Sequence, residues 1–182
     1  NTALGSVSLT ANTTGEKNTS VGYAALESNT TGIRNVAVGY WALRVNISGQ
    51  KNTAIGYENM YSNTTGQQNV SIGYVSFYAN TTGSYNTALA PYALRLNTTG
   101  NKNVAVGYQS LYSNTTASEN IAVGYNALYA NTTGTQNVAI GHWALDSITT
   151  GGYNVGVGGY VLEKVTTASN NTGMGYATLQ AN

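Results

Sequence analysis

The sequence predicts an all-β, fibrous protein: a parallel β-solenoid (β-roll or β-helix) of ten 17-residue repeats plus a partial eleventh. Three observations predict this fold: a period that never slips, a short β-branched apolar run in each unit, and a turn-forming Asn-Thr-Thr-Gly segment in most units. A fixed period without spare sequence means one small structural unit stacked on copies of itself. We therefore predict one continuous repeat array over residues 1–182, without linkers.

An asparagine opens every unit, and positions within the unit are numbered from it. Identical amides stacked at strand spacing can bond one another along the axis and satisfy backbone groups at the corners. The predicted structural asparagine ladder consists of Asn1, Asn18, Asn35, Asn52, Asn69, Asn86, Asn103, Asn120, Asn137, Asn154 and Asn171.

The apolar run at positions 2 to 4 favours strands, because β-branched residues suit a pleated, packed surface. Glycine recurs at positions 5 and 15 and costs about 1 kcal/mol against alanine inside a helix, so a helical repeat is disfavoured. We expect two or three short strands per coil and a rod of roughly 50 Å at about 4.8 Å per coil. Position 4, always apolar, and position 9, always Leu, Met or Phe, are the predicted core.

The strand also predicts self-association. Position 3 is small and uncharged, and it faces away from positions 2 and 4. A strand that is apolar or small on both faces is usually buried on both faces. We therefore expect packing on a second sheet of the same coil or on a neighbouring chain, in a homo-oligomer such as a trimer. Because neither end carries a distinct polar cap, we also expect a piece of a longer fibre or end-to-end stacking.

Composition excludes several partners. Only 7% of the residues are charged and the formal net charge is +1, so a broad basic face for nucleic acid is not predicted. No apolar run approaches the length of a membrane span, and no signal peptide is visible. Low charge, abundant Asn, Thr, Gly and Tyr, and the glycosylation motifs described below predict an extracellular location.

We find no catalytic, cofactor-binding or metal-binding residues in the sequence, and we do not predict an enzyme. The single histidine, His142, and the single aspartate, Asp146, could be considered for a triad with a serine. His142 stands where other units carry tyrosine, and Asp146 stands at a variable position, so substitution within a ladder explains both better. Clustered His, Cys or carboxylate ligands for a metal are absent from the pattern.

Position 12 opens an Asn-x-Ser/Thr motif in eight units, so regular N-glycosylation is one interpretation. The alternative is that Asn-Thr-Thr-Gly is simply a favourable corner, since Asn closes local bonds and Gly supplies positive φ. Further motifs open at Asn18, Asn69 and Asn170. The candidate glycosylation sites at position 12 are Asn12, Asn29, Asn46, Asn63, Asn80, Asn97, Asn114 and Asn131.

Tyrosines at position 10 form a candidate aromatic binding strip for glycans, namely Tyr61, Tyr78, Tyr112 and Tyr129. Position 7 adds Trp41, Tyr92, Trp143 and Tyr160. The alternative is that these rings pack on each other or across a chain interface. Asn and Thr files at positions 12 and 14 also suggest an ice-binding face, although a corner that ends in Gly is seldom flat.

The strings Asn-Val-Ala-Val-Gly-Tyr-Trp-Ala-Leu (35–43) and Asn-Ile-Ala-Val-Gly-Tyr-Asn-Ala-Leu-Tyr-Ala-Asn-Thr-Thr-Gly (120–134) resemble tandem repeats of bacteriophage tail-fibre-like proteins. The Asn-x-Ala-Val/Ile-Gly core is also similar to the head repeats of YadA-type trimeric autotransporter adhesins. The resemblance implies a trimeric parallel β-roll that acts as a stalk or adhesive head outside the cell. The period of 17 is longer than that of the adhesin heads.

The sequence therefore predicts a structural segment of an extracellular fibre, in which stacked strands make a stiff rod and the number of repeats sets its length. Two alternatives stay open: a glycan- or receptor-binding adhesin module, and an ice-binding protein.

Overall fold

The computed structural model describes residues 1–180 and is an all-β solenoid, which confirms the predicted fold class. Each coil contributes one three-residue strand rather than the two or three expected. The strands are β1 (Thr2–Leu4), β2 (Thr19–Val21), β3 (Val36–Val38), β4 (Thr53–Ile55), β5 (Val70–Ile72), β6 (Thr87–Leu89), β7 (Val104–Val106), β8 (Ile121–Val123), β9 (Val138–Ile140), β10 (Val155–Val157) and β11 (Thr172–Met174).

All eleven strands form one parallel sheet in sequence order. Val38 pairs with Ile55, and Ile55 pairs with Ile72, so each 17-residue step climbs one rung of the sheet. The strands thus pair in the register set by the repeat period, and equivalent side chains lie in columns along the rod.

The rest of each coil consists of turns in which non-glycine residues adopt positive φ at positions 7, 9 and 17, as in Ala24 (52°), Leu26 (51°) and Arg34 (58°). This conformation costs an L-residue roughly 1–2 kcal/mol. The N–H groups of the same residues bond to neighbouring coils: Ala24 to Ser6 O (3.0 Å), Leu26 to Ala42 O (3.1 Å) and Arg34 to Glu16 O (2.9 Å). The stack therefore satisfies the turn backbone and offsets its strain.

The core is narrow and lies at positions 3, 8 and 9, as shown by the fully buried Ala37, Ala42 and Leu43 of one coil. Position 9 was correctly assigned to the core, but position 4 was not. Position 4 points outward, where Ile55 is 36% and Ile72 43% exposed. The single strand is thin enough that the small residue at position 3 fits against the position-9 side chain inside, and the large aliphatic residue is left on the surface.

Two columns of buried asparagine hold the corners. At position 1, Asn35 donates Nδ2–H to the carbonyl of Gly49 (2.8 Å), and its Oδ1 accepts the N–H of Asn52 (2.9 Å). At position 12, Asn46 donates to Asn29 Oδ1 (2.8 Å) and to the same Gly49 carbonyl (3.1 Å). The asparagine columns therefore meet at the position-15 carbonyl of each coil.

The position-12 column ends at Asn131, because Ile148 and Val165 occupy the next two coils and are buried. Asn131 Oδ1 is accordingly buried without a hydrogen-bond partner. An aliphatic side chain can take the place of the amide at this corner, at the cost of one unsatisfied acceptor.

Glycine at position 5 adopts φ near +135°, as in Gly39 (139°). A Cβ there would run into the carbonyl of Gly56 in the next coil. Ala90 is the exception, with φ 134°, and it precedes Pro91. Glycine is therefore favoured by both the dihedral angle and the close approach of the coils.

Candidate interaction surfaces

The outward side of the sheet carries the side chains of positions 2 and 4, and we call it the outer face. It runs the length of the rod and exposes aliphatic groups at position 4, such as Ile140 (40%), and at position 2 in six coils, such as Val70 (39%); the other five coils carry Thr at position 2. Parallel sheets are normally covered on both sides, so an uncovered apolar face of this length is unusual. The alternation of side chains along the strand does not by itself reveal this face, because the residues that point outward are larger than the residue at position 3 that points inward.

No charged residue stands on the outer face in any coil. Covering this face with another surface would therefore desolvate no ion, which is the costly step in burying polar surface. The charged residues all occupy positions 7, 10, 11, 16 and 17, and they are Glu16, Lys17, Glu27, Arg34, Arg44, Lys51, Glu58, Arg95, Lys102, Glu119, Asp146, Glu163 and Lys164.

Beside the outer face, the rings of position 6 form a stacked column. Tyr23 and Tyr40 have ring centroids 5.1 Å apart with planes 15° apart, and Tyr40 and Tyr57 are 5.4 Å apart with planes 8° apart. Tyr57 and Tyr74 continue the stack at 5.3 Å. Offset stacking of this kind is the preferred geometry of aromatic pairs.

Among the coils that follow Tyr23, two lack a ring at position 6, and in both a tyrosine at position 7 takes its place in the stack. In the coil with Pro91, the ring of Tyr92 lies 5.6 Å from that of Tyr74 and 5.8 Å from that of Tyr108. In the coil with Gly159, the ring of Tyr160 lies 5.2 Å from that of His142 and 5.7 Å from that of Tyr176. The resulting aromatic column is Tyr23, Tyr40, Tyr57, Tyr74, Tyr92, Tyr108, Tyr125, His142, Tyr160 and Tyr176.

The continuity of this column is not predicted from position 6 alone, although the sequence contains a sign of it at position 7. Position 7 varies freely, yet it carries tyrosine next to Pro91 and next to Gly159. The pattern becomes meaningful only when positions 6 and 7 are known to project on the same side of the rod.

The candidate strip at position 10 is two separate stacked pairs. Tyr61 and Tyr78 lie 5.2 Å apart, as do Tyr112 and Tyr129. Arg95 stands between the pairs; it donates to Tyr112 Oη (2.7 Å) and lies 5.7 Å from that ring centroid. The rings are half-buried, and each stacked pair covers the ring faces that a sugar would stack upon. The arrangement matches the alternative in which these rings pack on each other.

The structure places the position-12 asparagines from Asn29 to Asn131 inside the rod, whereas Asn12 in the first coil is half-buried. Asn63, for example, is fully buried, and its Nδ2 donates to Asn46 Oδ1 (2.8 Å) and Gly66 O (3.1 Å). Nδ2 is the atom to which an N-linked glycan is attached, so the glycan and this ladder exclude each other. The two ranks considered for ice binding also do not share a surface, since position 12 is buried while Thr65 at position 14 is exposed.

His142 lies in the aromatic column, stacked on Tyr125 at 5.3 Å. Asp146 lies at position 10 of the same coil, and burial raises the pKa of its carboxyl to about 6, with the charge of Glu163 on the next coil adding to the shift. Its Oδ1 is buried without a hydrogen-bond partner. Among residues 1–180, no group of three or more His, Cys, Asp or Glu side chains could hold a metal ion. The same residues contain no helix long and apolar enough to cross a membrane.

The class that this fold defines is a tandem-repeat β-solenoid. Comparison with known protein families, with curated proteins and with solved structures gives no match.

Proposed function

We propose that this chain is a structural segment of an extracellular fibre, and that rods of it associate side by side through the outer face. The observation that carries the proposal is the unbroken parallel sheet β1 to β11, whose outer face is free of charge from end to end and carries an apolar side chain at position 4 of every coil. A stack held by backbone hydrogen bonds at every coil resists bending and proteolysis, and its length grows with the number of repeats.

A second copy of this chain is the partner that fits the outer face best. The face is periodic, with one row of side chains about every 4.8 Å, and another copy presents rows at the same spacing so that the two can interdigitate. Eleven rungs about 4.8 Å apart and about 10 Å across give roughly 500 Å² of projected area, somewhat below the 800 Å² or so that each partner contributes to a standard interface.

The extracellular placement is supported by composition, that is, by the low fraction of charge and the abundance of Asn, Thr, Gly and Tyr. The resemblance of residues 35–43 and 120–134 to repeats of tail-fibre-like proteins and of YadA-type adhesin heads supports the same proposal. Labelling of intact cells or particles with an antibody to the rod tests this placement: we expect labelling without permeabilisation, and a signal that requires permeabilisation contradicts it.

The association is tested by light scattering after size-exclusion chromatography, together with negative-stain images. We expect the unmutated chain to form a bundle of rods, and we expect the double variant Ile55→Lys/Ile140→Lys to be monomeric with an unchanged circular dichroism spectrum. The control Gln67→Lys/Gln136→Lys adds the same charge at exposed positions outside the face and should leave the bundle intact. A monomeric unmutated chain, or a bundle that persists in the face variant, contradicts side-by-side association.

A further inference from the structure

The aromatic column carries an inference of its own. From Tyr23 to Tyr125 it is made of tyrosine alone, and neighbouring rings are never more than 5.8 Å apart between centroids. Rings in direct contact allow an electron to pass from one π-system to the next. The gap at Pro91 would interrupt this contact, but Tyr92 restores it from the adjacent position.

The phenol groups can also exchange protons with water. Tyr23 is 47% exposed and Tyr74 is 49% exposed. This matters because the oxidised phenol is a strong acid and must release its proton when it gives up an electron. Stacked ring faces with accessible edges therefore provide both parts of the step, electron contact along the column and proton release from its side.

We propose that the tyrosines from Tyr23 to Tyr125 form a path along which a one-electron oxidation travels. A diffusible one-electron oxidant, such as an oxidised metal complex, takes an electron from one tyrosine, and the phenolic proton goes to water. The neighbouring tyrosine then gives an electron to this radical and a proton to water, while the first oxygen regains a proton from water. The radical has moved by one coil and nothing further is consumed.

The path ends when two radicals meet. Two tyrosyl radicals on adjacent coils join through a carbon–carbon bond between ring carbons next to the phenolic oxygens. The hydrogens on those two carbons leave as protons, and the two oxygens each regain one, which yields dityrosine. Two electrons have then passed to two equivalents of oxidant, and two protons have passed to water. The product is a covalent staple between coils.

His142 marks the limit of the path. It continues the ring contacts geometrically, at 5.3 Å from Tyr125 and 5.2 Å from Tyr160, but a neutral imidazole gives up an electron much less readily than a phenol. Oxidation that enters near Tyr23 should therefore reach Tyr125 and also Trp143, whose ring lies 6.0 Å from that of Tyr125, and fail to reach Tyr160 and Tyr176. The same reasoning predicts that His142→Tyr extends the path.

The experiment starts the oxidation at one end. The chain has no cysteine, so Ser6→Cys, an exposed residue at position 6 of the coil beside Tyr23, accepts a single maleimide-linked ruthenium polypyridyl photo-oxidant. Flash-quench illumination produces Ru(III) there. Peptide mass mapping of dityrosine and of nitroso-trapped tyrosine then shows how far oxidation has moved. We expect products at Tyr108 and Tyr125, the latter about 34 Å from the label at about 4.8 Å per coil.

Variants test the path in both directions. Tyr92→Leu should abolish products at Tyr108 and Tyr125 and leave those at Tyr40 to Tyr74 unchanged. Tyr112→Leu, a tyrosine outside the column, should leave the map unchanged, and His142→Tyr should add products at Tyr160. Because His142→Tyr follows the residue type of the column, it keeps the test decisive even where Tyr92→Leu fails to fold.

Unlabelled chain grown with heavy isotope is mixed into each sample. Products on the heavy chain at the level of those on the labelled chain would show transfer between molecules and overturn the proposal. Oxidation confined to Tyr23 in the labelled chain, or oxidation of Tyr108 that persists in Tyr92→Leu, would overturn it as well.

Discussion

The side-chain oxygen of Asn35 accepts the backbone N–H of Asn52, one coil further on, at 2.9 Å. Both residues are buried, so water cannot replace this bond. We predict that Asn35→Ala lowers the free energy of unfolding by about 1–3 kcal/mol, the cost of a buried donor without a partner. Gly49 O keeps its second donor, Asn46, so the loss is concentrated at the N–H of Asn52.

Urea unfolding followed by circular dichroism measures this effect. Gln67→Ala at an exposed position is the control, and it should change the free energy of unfolding by less than about 0.5 kcal/mol. An Asn35→Ala variant that matches this control would show that the position-1 column is dispensable.

A second prediction concerns the exception in the glycine column. Ala90 holds φ at 134°, an angle that side chains with a Cβ rarely adopt. Ala90→Gly should therefore stabilise the rod by about 1 kcal/mol through relief of strain. Gly39→Ala should destabilise it by about 1–3 kcal/mol, because its Cβ also meets the carbonyl of Gly56.

Thermal unfolding of these two variants against the unmutated chain is the measurement. The two shifts must have opposite signs. If Ala90→Gly lowers the melting temperature, the dihedral angle at position 5 is not the reason for glycine in this column.

The repeat period predicted the register of the sheet because identical residues at a fixed spacing stack without further information. Val38, Ile55 and Ile72 lie in one column for that reason alone. The turns could not be predicted, since Leu26 and Ala24 adopt positive φ without the Gly or Asn that normally signals it. Only the hydrogen bonds between coils make that conformation favourable, and these exist once the stack has formed.

The prediction that position 4 lies in the core is wrong, because in so narrow a coil the larger side chains of the strand point outward and the small one points inward. Position 3 faces the position-9 column so closely that a Cβ on Gly156 would meet Leu145 and Val161. Four coils carry Ala at both position 3 and position 8, for example Ala37 with Ala42, whereas this coil carries Gly156 with the larger Val161. This exchange of volume within one coil was the available signal that positions 3 and 8 share the interior.

A third prediction separates turn chemistry from glycosylation. Asn170 opens an exposed Asn-x-Thr motif, whereas Asn63 opens a motif whose asparagine is fully buried. In rods secreted from a glycosylating host, we expect glycan at Asn170 and none at Asn63, because Nδ2 of Asn63 is held by Asn46 and Gly66. Mass mapping after enzymatic deglycosylation in heavy water distinguishes the two sites.

Asn63→Gln removes the motif and serves as the control for peptide assignment. Glycan found on Asn63 in protease-resistant rods would mean that the buried column can open at that coil without loss of the fold.

The last prediction is a dependence of stability on pH that comes from Asp146. Burial, and then the charge of Glu163 on the next coil, raises the pKa of this carboxyl from 3.8 to about 6 in the folded chain. The folded state therefore holds the proton more tightly than the unfolded state. The stabilising contribution is complete below about pH 3.8, falls as pH rises through about 6, and is absent above that value. Because the carboxyl is half-exposed and screened by water, the change in the free energy of unfolding should be no more than about 1 kcal/mol.

Asp146→Asn should remove this dependence of stability on pH, so that the variant is more stable than the unmutated chain at pH 8 and loses that advantage at pH 4. Glu16→Gln, at an exposed position, should keep the slope. The measurement is the melting temperature of each variant from pH 4 to pH 8. If the melting temperatures of Asp146→Asn and of the unmutated chain change in parallel with pH, the titration belongs to another group.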